Sequence, residues 1–495
     1  MKNNLFKSLK YAKVALGVCV TVLLAACGGS DPDTPDTPEV PGGGQSASQI
    51  ELPRKELRGV WMATVWGIDW PQGKYDMAAQ KALYTKYLDL FAENNINAVF
   101  VQVRGMADAF YNSTYEPWSK NITNVAGKDP GYDVMRFMID EAHKRGIGFH
   151  AWINPYRIAT RAGSDQSFPK LDAKIPASMT KDYAKIRVYN PALPEVRQRI
   201  MDIVKDLVTK YDVDGIHMDD YFYPSLDKSE SMNDNAEYEK YGKAKFDNIA
   251  DFRRDNVNQV VKGLHDVIQA TRPNVVFSIS PAANYNNNYN LLYADVTKWS
   301  QEGWTEVIIP QIYFATGKGS TDFNQYLTWW SQYTYKNALM VGYGLYRFGD
   351  PTQSAIYQTS ADLQAQFDYA ATKRKVQGSV LYSARDLVNN KVDIMSVIKR
   401  VYKDPALPPY LGKQEAKAPA AVSSLKVTGR NLTWNAMANA YYAVYRSNGT
   451  GQTATLVKIT REASATVSAA GSYFVTAVNK ADNAESKPSN LIEVK

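Results

Sequence analysis

Between residues 57 and 402 the apolar positions switch repeatedly between two periods. Runs of period two place alternate side chains on opposite faces, as in a strand. Stretches of period 3.6 place them on one face of a helix. Strands are predicted at 57–65, 97–104, 148–154 and 213–219, then at 275–280, 307–313, 339–345 and 378–383. Helical spacing covers 77–93, 132–145, 195–211 and a long segment ending near Thr271, and a helix follows each later strand. Such alternation calls for a parallel sheet, and eight units predict a (β/α)8 TIM barrel over 51–405. An open doubly wound sheet is the alternative, but its Gly-rich phosphate loop is missing after the first strand. Trp66-Gly-Ile-Asp-Trp-Pro71 stands there instead.

Past a Pro-marked linker at 406–417 the period shortens. Alternating segments at 432–434, 441–445, 466–468 and 473–478, with turn signals such as Ser447-Asn-Gly, predict a small all-β sandwich over 418–495. Its runs Leu432-Thr-Trp434, Tyr442-Ala-Val-Tyr445 and Tyr473-Phe-Val-Thr-Ala-Val478 look like a fibronectin type III module, whose partner the sequence leaves unknown.

The N-terminus reads as a lipoprotein signal peptide, 1–26. Lys2, Lys7, Lys10 and Lys13 precede a short apolar run that ends in Leu24-Ala-Ala-Cys27, a bacterial lipobox in outline. Cys27 is then the lipidated residue, and the Gly/Pro/Asp/Thr-rich stretch 27–50 a flexible tether. The expected location is the bacterial cell envelope, on the outer membrane or the cell surface. Without the leader's four lysines, 53 basic residues face 50 acidic ones, so the +7 charge falls to +3. No basic stripe remains, and nucleic acid is not an expected partner. Cys19 lies in the leader and Cys27 carries lipid, which removes thiol nucleophiles, cysteine metal sites and disulfides.

In a barrel, chemistry gathers at the carboxyl ends of the strands. In Asp214-Gly-Ile-His-Met-Asp-Asp-Tyr-Phe-Tyr-Pro224, Ile216 and Met218 share one face, while His217 and Asp219 share the other. Polar side chains inside a barrel are costly unless something polar meets them, and a substrate is the usual reason. Arg104, Asp108, His150, Asn154, Tyr156, Arg157, Tyr221, Gln311 and Tyr313 fall at other strand ends and are the candidate substrate contacts with His217. His150 and His217 also read as satisfied interior histidines, and Arg104 as an ion-pair partner of Asp219 or Asp108. Asp219 and Asp220 are the catalytic candidates: two adjoining, poorly solvated carboxylates favour one raised pKa.

Other chemistries lack their residues. There is no Gly-x-Ser-x-Gly elbow and no P-loop. Four histidines leave only His150 and His217 with Asp219 as a zinc set, so no metal or cofactor is expected. Glycoside cleavage needs a proton donor and a group that captures the oxocarbenium-like centre. Asp108, Asp69 and Asp386 are alternatives for the second group. The substrate's own acetamido group is another, with Tyr313 holding its oxygen.

These residues resemble the glycosyl hydrolase-like 10 family over about 56–400. The matching runs are Leu57-Arg-Gly-Val-Trp61 through Pro71, Asn97 to Arg104, Pro130-Gly-Tyr-Asp133 and Glu141 to Gly146. They continue with His150-Ala-Trp-Ile-Asn-Pro-Tyr-Arg157, Asp214 to Pro224 and Pro310-Gln-Ile-Tyr313. The resemblance implies a (β/α)8 barrel and glycoside hydrolysis, with peptidoglycan glycan strands as substrate class. A glycan-binding lipoprotein without catalysis is the alternative. After the fifth strand the chain departs from the family pattern, with Ser280-Pro-Ala-Ala-Asn284 followed by a Tyr/Asn-rich run to Asn290. The fourth strand also looks like the chitinase pattern Asp-Gly-x-Asp-x-Asp-x-Glu, with His217 and Tyr221 replacing its second Asp and its Glu.

Overall fold

The computed structural model describes residues 50–495 apart from 318, 412–416 and 481. The leader, Cys27, nearly all of the 27–50 tether and five positions of the linker lie outside the described residues.

Eight parallel strands close a barrel: β1 (Leu57–Met62), β2 (Ala98–Arg104), β3 (Gly148–Ile153), β4 (Gly215–Met218), β5 (Val276–Ile279), β6 (Val307–Ile308), β7 (Ala338–Gly344) and β8 (Val376–Tyr382). Each pairs with its neighbours in chain order, and β1 pairs with β8 to shut the ring. One main helix follows each strand: α1 (Met77–Glu93), α2 (Val134–Lys144), α3 (Pro194–Lys210), α4 (Ile249–Thr271), α5 (Val296–Glu302), α6 (Phe323–Tyr333), α7 (Ala361–Ala371) and α8 (Ile394–Val401). Local chemistry starts them. Asp76, Asp133 and Asn248 accept backbone N–H bonds at the N-termini of α1, α2 and α4, and Pro194 opens α3.

The strand alternation sorts side chains into two cores. Outward residues such as Val60, Val99, Ile216, Met218 and Phe277 meet the helices. Inward residues such as Leu57, Trp61, Phe100, Met340 and Val380 fill the barrel. Residues 404–411 run beneath its amino-terminal end: Arg58 Nη1 donates to Asp404 O (2.6 Å), Asn97 Nδ2 to Ala406 O (2.9 Å), and Leu411 packs on the interior cluster.

Three features differ from the expected elements. The 307–313 strand ends at Ile308, because Pro310 has no N–H for the ladder. The 57–65 strand ends at Met62, where Thr64 and Val65 turn into a 3-10 helix. An unforeseen antiparallel sheet (Arg157–Thr160, Thr180–Asp182, Ile186–Tyr189) is inserted between β3 and α3.

The C-terminal residues form the expected β-sandwich, with antiparallel sheets of three and four strands over a core that includes Leu432, Trp434, Tyr442 and Val475. Tyr473 Oη donates back to Ala469 O (2.8 Å), the corner bond common in such sandwiches. The sandwich meets the barrel's lead-in: Ile50 and Leu52 pack with Leu407 against Tyr445 and Phe474, and Lys55 pairs with Glu485 at 3.1 Å.

Candidate active site

The amide and carboxylate chemistry is set by β3 and β4, which pair in register with His150 opposite Gly215 and Trp152 opposite His217. Beyond β3, Asn154 turns its amide onto Asp219, donating to both carboxylate oxygens at 2.7 Å. Trp152 Nε1 adds a third bond (3.1 Å) and the Tyr221 N–H a fourth (3.2 Å). Gln102 holds Asn154 Oδ1 at 2.6 Å, while its own oxygen accepts from the Thr64 and Val65 N–H groups. Asp219 is therefore buried among groups that all donate.

Asp220 is more open, and Gln311 Nε2 donates to it at 3.2 Å. Burial, then the neighbouring charge of Asp220, push Asp219 up to about 7. Burial also raises Asp220. Arg157 opposes both shifts but does not cancel them. Its guanidinium donates to Gly105 O (3.1 Å) and Asn154 Oδ1 (3.3 Å) and lies 4.4 Å over the Tyr221 ring. Near neutral pH the pair is still partly protonated, chiefly on Asp219.

These carboxyls open into a cleft of about 780 Å³. Tyr313, Tyr346 and Tyr382 form one wall, with ring centroids about 6 Å apart. Gly344 makes room for Tyr313: a Cβ there would lie 2.9 Å from Tyr313 Cβ. The rim carries Trp66, 62% exposed and held at φ +54°, with Tyr221 and Leu291 also exposed. Val188 and Ile186 from the inserted sheet complete another side.

Of the sequence candidates, Asp219, Asp220, Tyr156, Arg157, Tyr221, Gln311 and Tyr313 line this cleft, with Asn154 directly behind Asp219. The others sit elsewhere. His217 Nε2 accepts from Trp61 (3.0 Å) and its Nδ1 donates to Ser278 (2.8 Å), a neutral imidazole with both nitrogens used. Burial holds its pKa well below the usual value. His150 stacks on Phe100 at 4.4 Å, deeper in the barrel, where a Cβ on Gly215 would collide with it. Burial takes it down to about 4. Asp108 accepts from the Met106 N–H (3.1 Å) within its own loop.

Arg104 pairs with neither Asp219 nor Asp108. Its guanidinium forks onto Glu116 at 2.8 and 3.0 Å and donates to the Asn154 and Pro155 carbonyls. Asp69 is fully buried, accepting from Ala63 N (2.6 Å), Ser383 Oγ (2.7 Å) and Arg385 N (3.0 Å), and burial pushes it up to about 6. Asp386 lines the cleft from the short helix that follows β8 (Ala384–Asn389), where its carboxylate accepts from the N-cap Ser383 in a capping box. Among the described residues no group of His, Cys, Asp and Glu is placed to hold a metal ion.

The sequence places Trp152 on the inward face of the third strand but assigns it no role, and it marks neither Glu116 nor the inserted sheet. Trp152 was visible two positions before Asn154 on the same face of β3. Glu116 lies in an irregular loop that no periodicity marks.

The profile described as Glycosyl hydrolase-like 10 matches residues 56–357. The chain is 39% identical over 438 residues to the glycosyl hydrolase YngK of Bacillus subtilis (strain 168), covering 80% of this chain and 84% of that protein. It is 32% identical over 414 residues to the glycosyl hydrolase DigH of Escherichia coli (strain K12), covering 76% and 93% respectively.

Proposed function

The chain belongs to the glycosyl hydrolase-like 10 family and is a glycosidase; from that premise we propose that it cuts peptidoglycan glycan strands with the Asp219–Asp220 pair and the sugar's own acetamido group. One observation carries the chemistry. The two carboxyls adjoin at the cleft base beside Tyr313, while Asp386, across the barrel at the end of β8, is committed to a helix cap.

In the free pair burial leaves the proton chiefly on Asp219; the acetamido N–H donated to Asp219 on binding favours its anion and shifts that proton to Asp220. Asp220, more open to the cleft, then holds the proton and gives it to the glycosidic oxygen as the C1–O bond breaks. The acetamido carbonyl oxygen bonds to C1 in the same step, and Asp219 accepts the acetamido N–H. Tyr313 Oη steadies the carbonyl oxygen. Water then attacks C1, losing its proton to the Asp220 carboxylate, and the acetamide is restored. The family resemblance supports the substrate class, and an acetamido-bearing sugar is what this chemistry requires.

The leader-like N-terminus and Cys27 support attachment to the bacterial envelope by a lipid, at the outer membrane or cell surface. Labelled palmitate incorporated by the wild type and not by Cys27→Ala tests that attachment.

Mass spectrometry of products from purified, peptide-free glycan strands tests the activity. Wild-type protein is expected to release reducing fragments, and Asp219→Asn and Asp220→Asn to lose roughly a hundredfold or more of the rate while staying folded. Full turnover by Asp220→Asn would overturn the assignment.

A further inference from the structure

The outer surface of α6 is unusual for a solvent-facing helix. Phe323-Asn-Gln-Tyr-Leu-Thr-Trp-Trp-Ser-Gln-Tyr333 contains no charged residue. Phe323, Leu327 and Trp330 are buried toward the barrel, as helical spacing requires. The remaining surface would ordinarily carry Lys and Glu for solubility. It carries amides, two hydroxyls (Thr328 and Ser331) and aromatic rings.

Those groups form a groove. Asn324, Gln325, Thr328, Trp329 and Gln332 make one side and Tyr369 of α7 the other of a shallow, open groove of about 360 Å³. That volume lies within the range of small-ligand sites, about 300–1,000 Å³. Asn324 keeps its Oδ1 buried without a hydrogen-bond partner, an acceptor whose desolvation nothing in the fold offsets. Thr328 Oγ1 and Tyr369 Oη bond each other at 2.7 Å and have capacity for further bonds. Gln325, Gln332 and Tyr333 are exposed.

Aromatic rings connect this groove to the catalytic mouth. Tyr285 stacks on Trp329 at 4.9 Å, and Trp329 packs on Tyr333 at 4.6 Å. Tyr285 opens the short helix whose Asn287 lines the cleft, followed by Leu291 on its rim. The Tyr/Asn-rich run that sets this chain apart from the family pattern is thus the bridge between groove and cleft.

We propose that the α6–α7 groove is a second carbohydrate site, taking a neutral sugar unit of the polymer whose neighbouring units occupy the cleft. The groove's lining residues are uncharged amides, a hydroxyl and aromatic rings, which suit a neutral sugar's hydroxyls and apolar edge. The cation beside them, Lys373, lies 4.5 Å over the outer Tyr369 ring. Only the polymer's identity rests on the glycosidase reading above. Two weak sites on one chain act through effective concentration, so the groove raises retention on long polymers and leaves short substrates unaffected.

The test compares wild type, Trp329→Ala and the double variant Gln325→Ala/Gln332→Ala. Retention is measured on insoluble peptidoglycan glycan strands, chitin and cellulose, alongside turnover of a soluble tetrasaccharide cut from those strands. The double variant alters only exposed side chains, which keeps the test valid should Trp329→Ala unfold. Retention on at least one polymer is expected to fall about tenfold in the folded variants, with tetrasaccharide kcat/KM unchanged. Undiminished retention in the double variant, or no wild-type retention on any polymer, overturns the proposal. Retention without cleavage of any strand would instead sink the proposed activity and leave the groove standing.

Discussion

Asp219 sits in an environment that contradicts itself. Four donated hydrogen bonds favour its anion, while burial and the adjacent Asp220 favour its neutral form, and the balance lies at about 7. If the shared proton is the catalytic one, kcat/KM falls as pH rises through about 7. Asn154→Ala removes donors that favour the anion, so it should move that limb to higher pH. A pH–rate profile of the two proteins checks both. The same shift is a stability statement. A carboxyl whose folded pKa is raised stabilises fully below its unfolded value near 4 and loses that contribution as pH climbs through about 7. Between pH 6 and 8 this one group weakens the fold by about 1 kcal/mol, visible as a lower Tm at pH 8. Tyr313→Phe, which keeps the ring wall, is expected to cost roughly a hundredfold in kcat on acetamido sugars. Asp386→Asn should change kcat little, and a comparable loss there would make Asp386 the opposing carboxylate of a two-carboxylate mechanism.

At the scale of elements, the turn after β3 is held by a buried ion pair rather than by its own sequence. Arg104 and Glu116 are both buried, Tyr189 Oη adds a bond to Glu116 at 3.0 Å, and Arg104 grips the Asn154 and Pro155 carbonyls. Glu116→Gln leaves a buried guanidinium short of its counter-charge. It should cost about 3 kcal/mol by chemical denaturation and lower kcat, because Asn154 shifts with its carbonyl. Asp69 does similar service at the other seam, joining the exit of β1 to that of β8 through Ser383 and Arg385. The strands and helices were legible because each buries one face and so imposes a period on Ile216, Met218 and their equivalents. Pro310 was equally legible as a ladder breaker, yet it sat inside a run of strand-forming residues that outweighed it. Asp219 and Asp220 stood out for being polar where the period demands burial. Glu116 and the inserted Ile186–Tyr189 strand did not, and Asp69 was legible only as a carboxylate at a strand exit, not as the tie between β1 and β8, since their partners lie across the fold and nothing local encodes a pairing between distant loops.

The described residues between 50 and 495 are arranged about two opposite ends of the barrel. The cleft opens at the carboxyl ends of the strands, whereas residues 404–411 and the sandwich gather at the amino ends. Glu485 links them: its carboxylate accepts from Tyr445 Oη (2.6 Å) and Thr476 Oγ1 (2.7 Å) within the sandwich and pairs with Lys55 just before β1. With Ile50, Leu52 and Leu407 packed on the same surface, barrel and sandwich should melt together in one calorimetric transition. Glu485→Ala strands two buried hydroxyls and removes the Lys55 pair. It is expected to cost about 2 kcal/mol and to separate a sandwich transition from that of the barrel. Tetrasaccharide turnover should survive, because none of these contacts reaches Asp219. A Glu485→Ala protein that still melted once, at the wild-type temperature, would mean that the apolar contacts alone couple the two parts. Lost turnover would mean that the sandwich governs the cleft through the barrel floor.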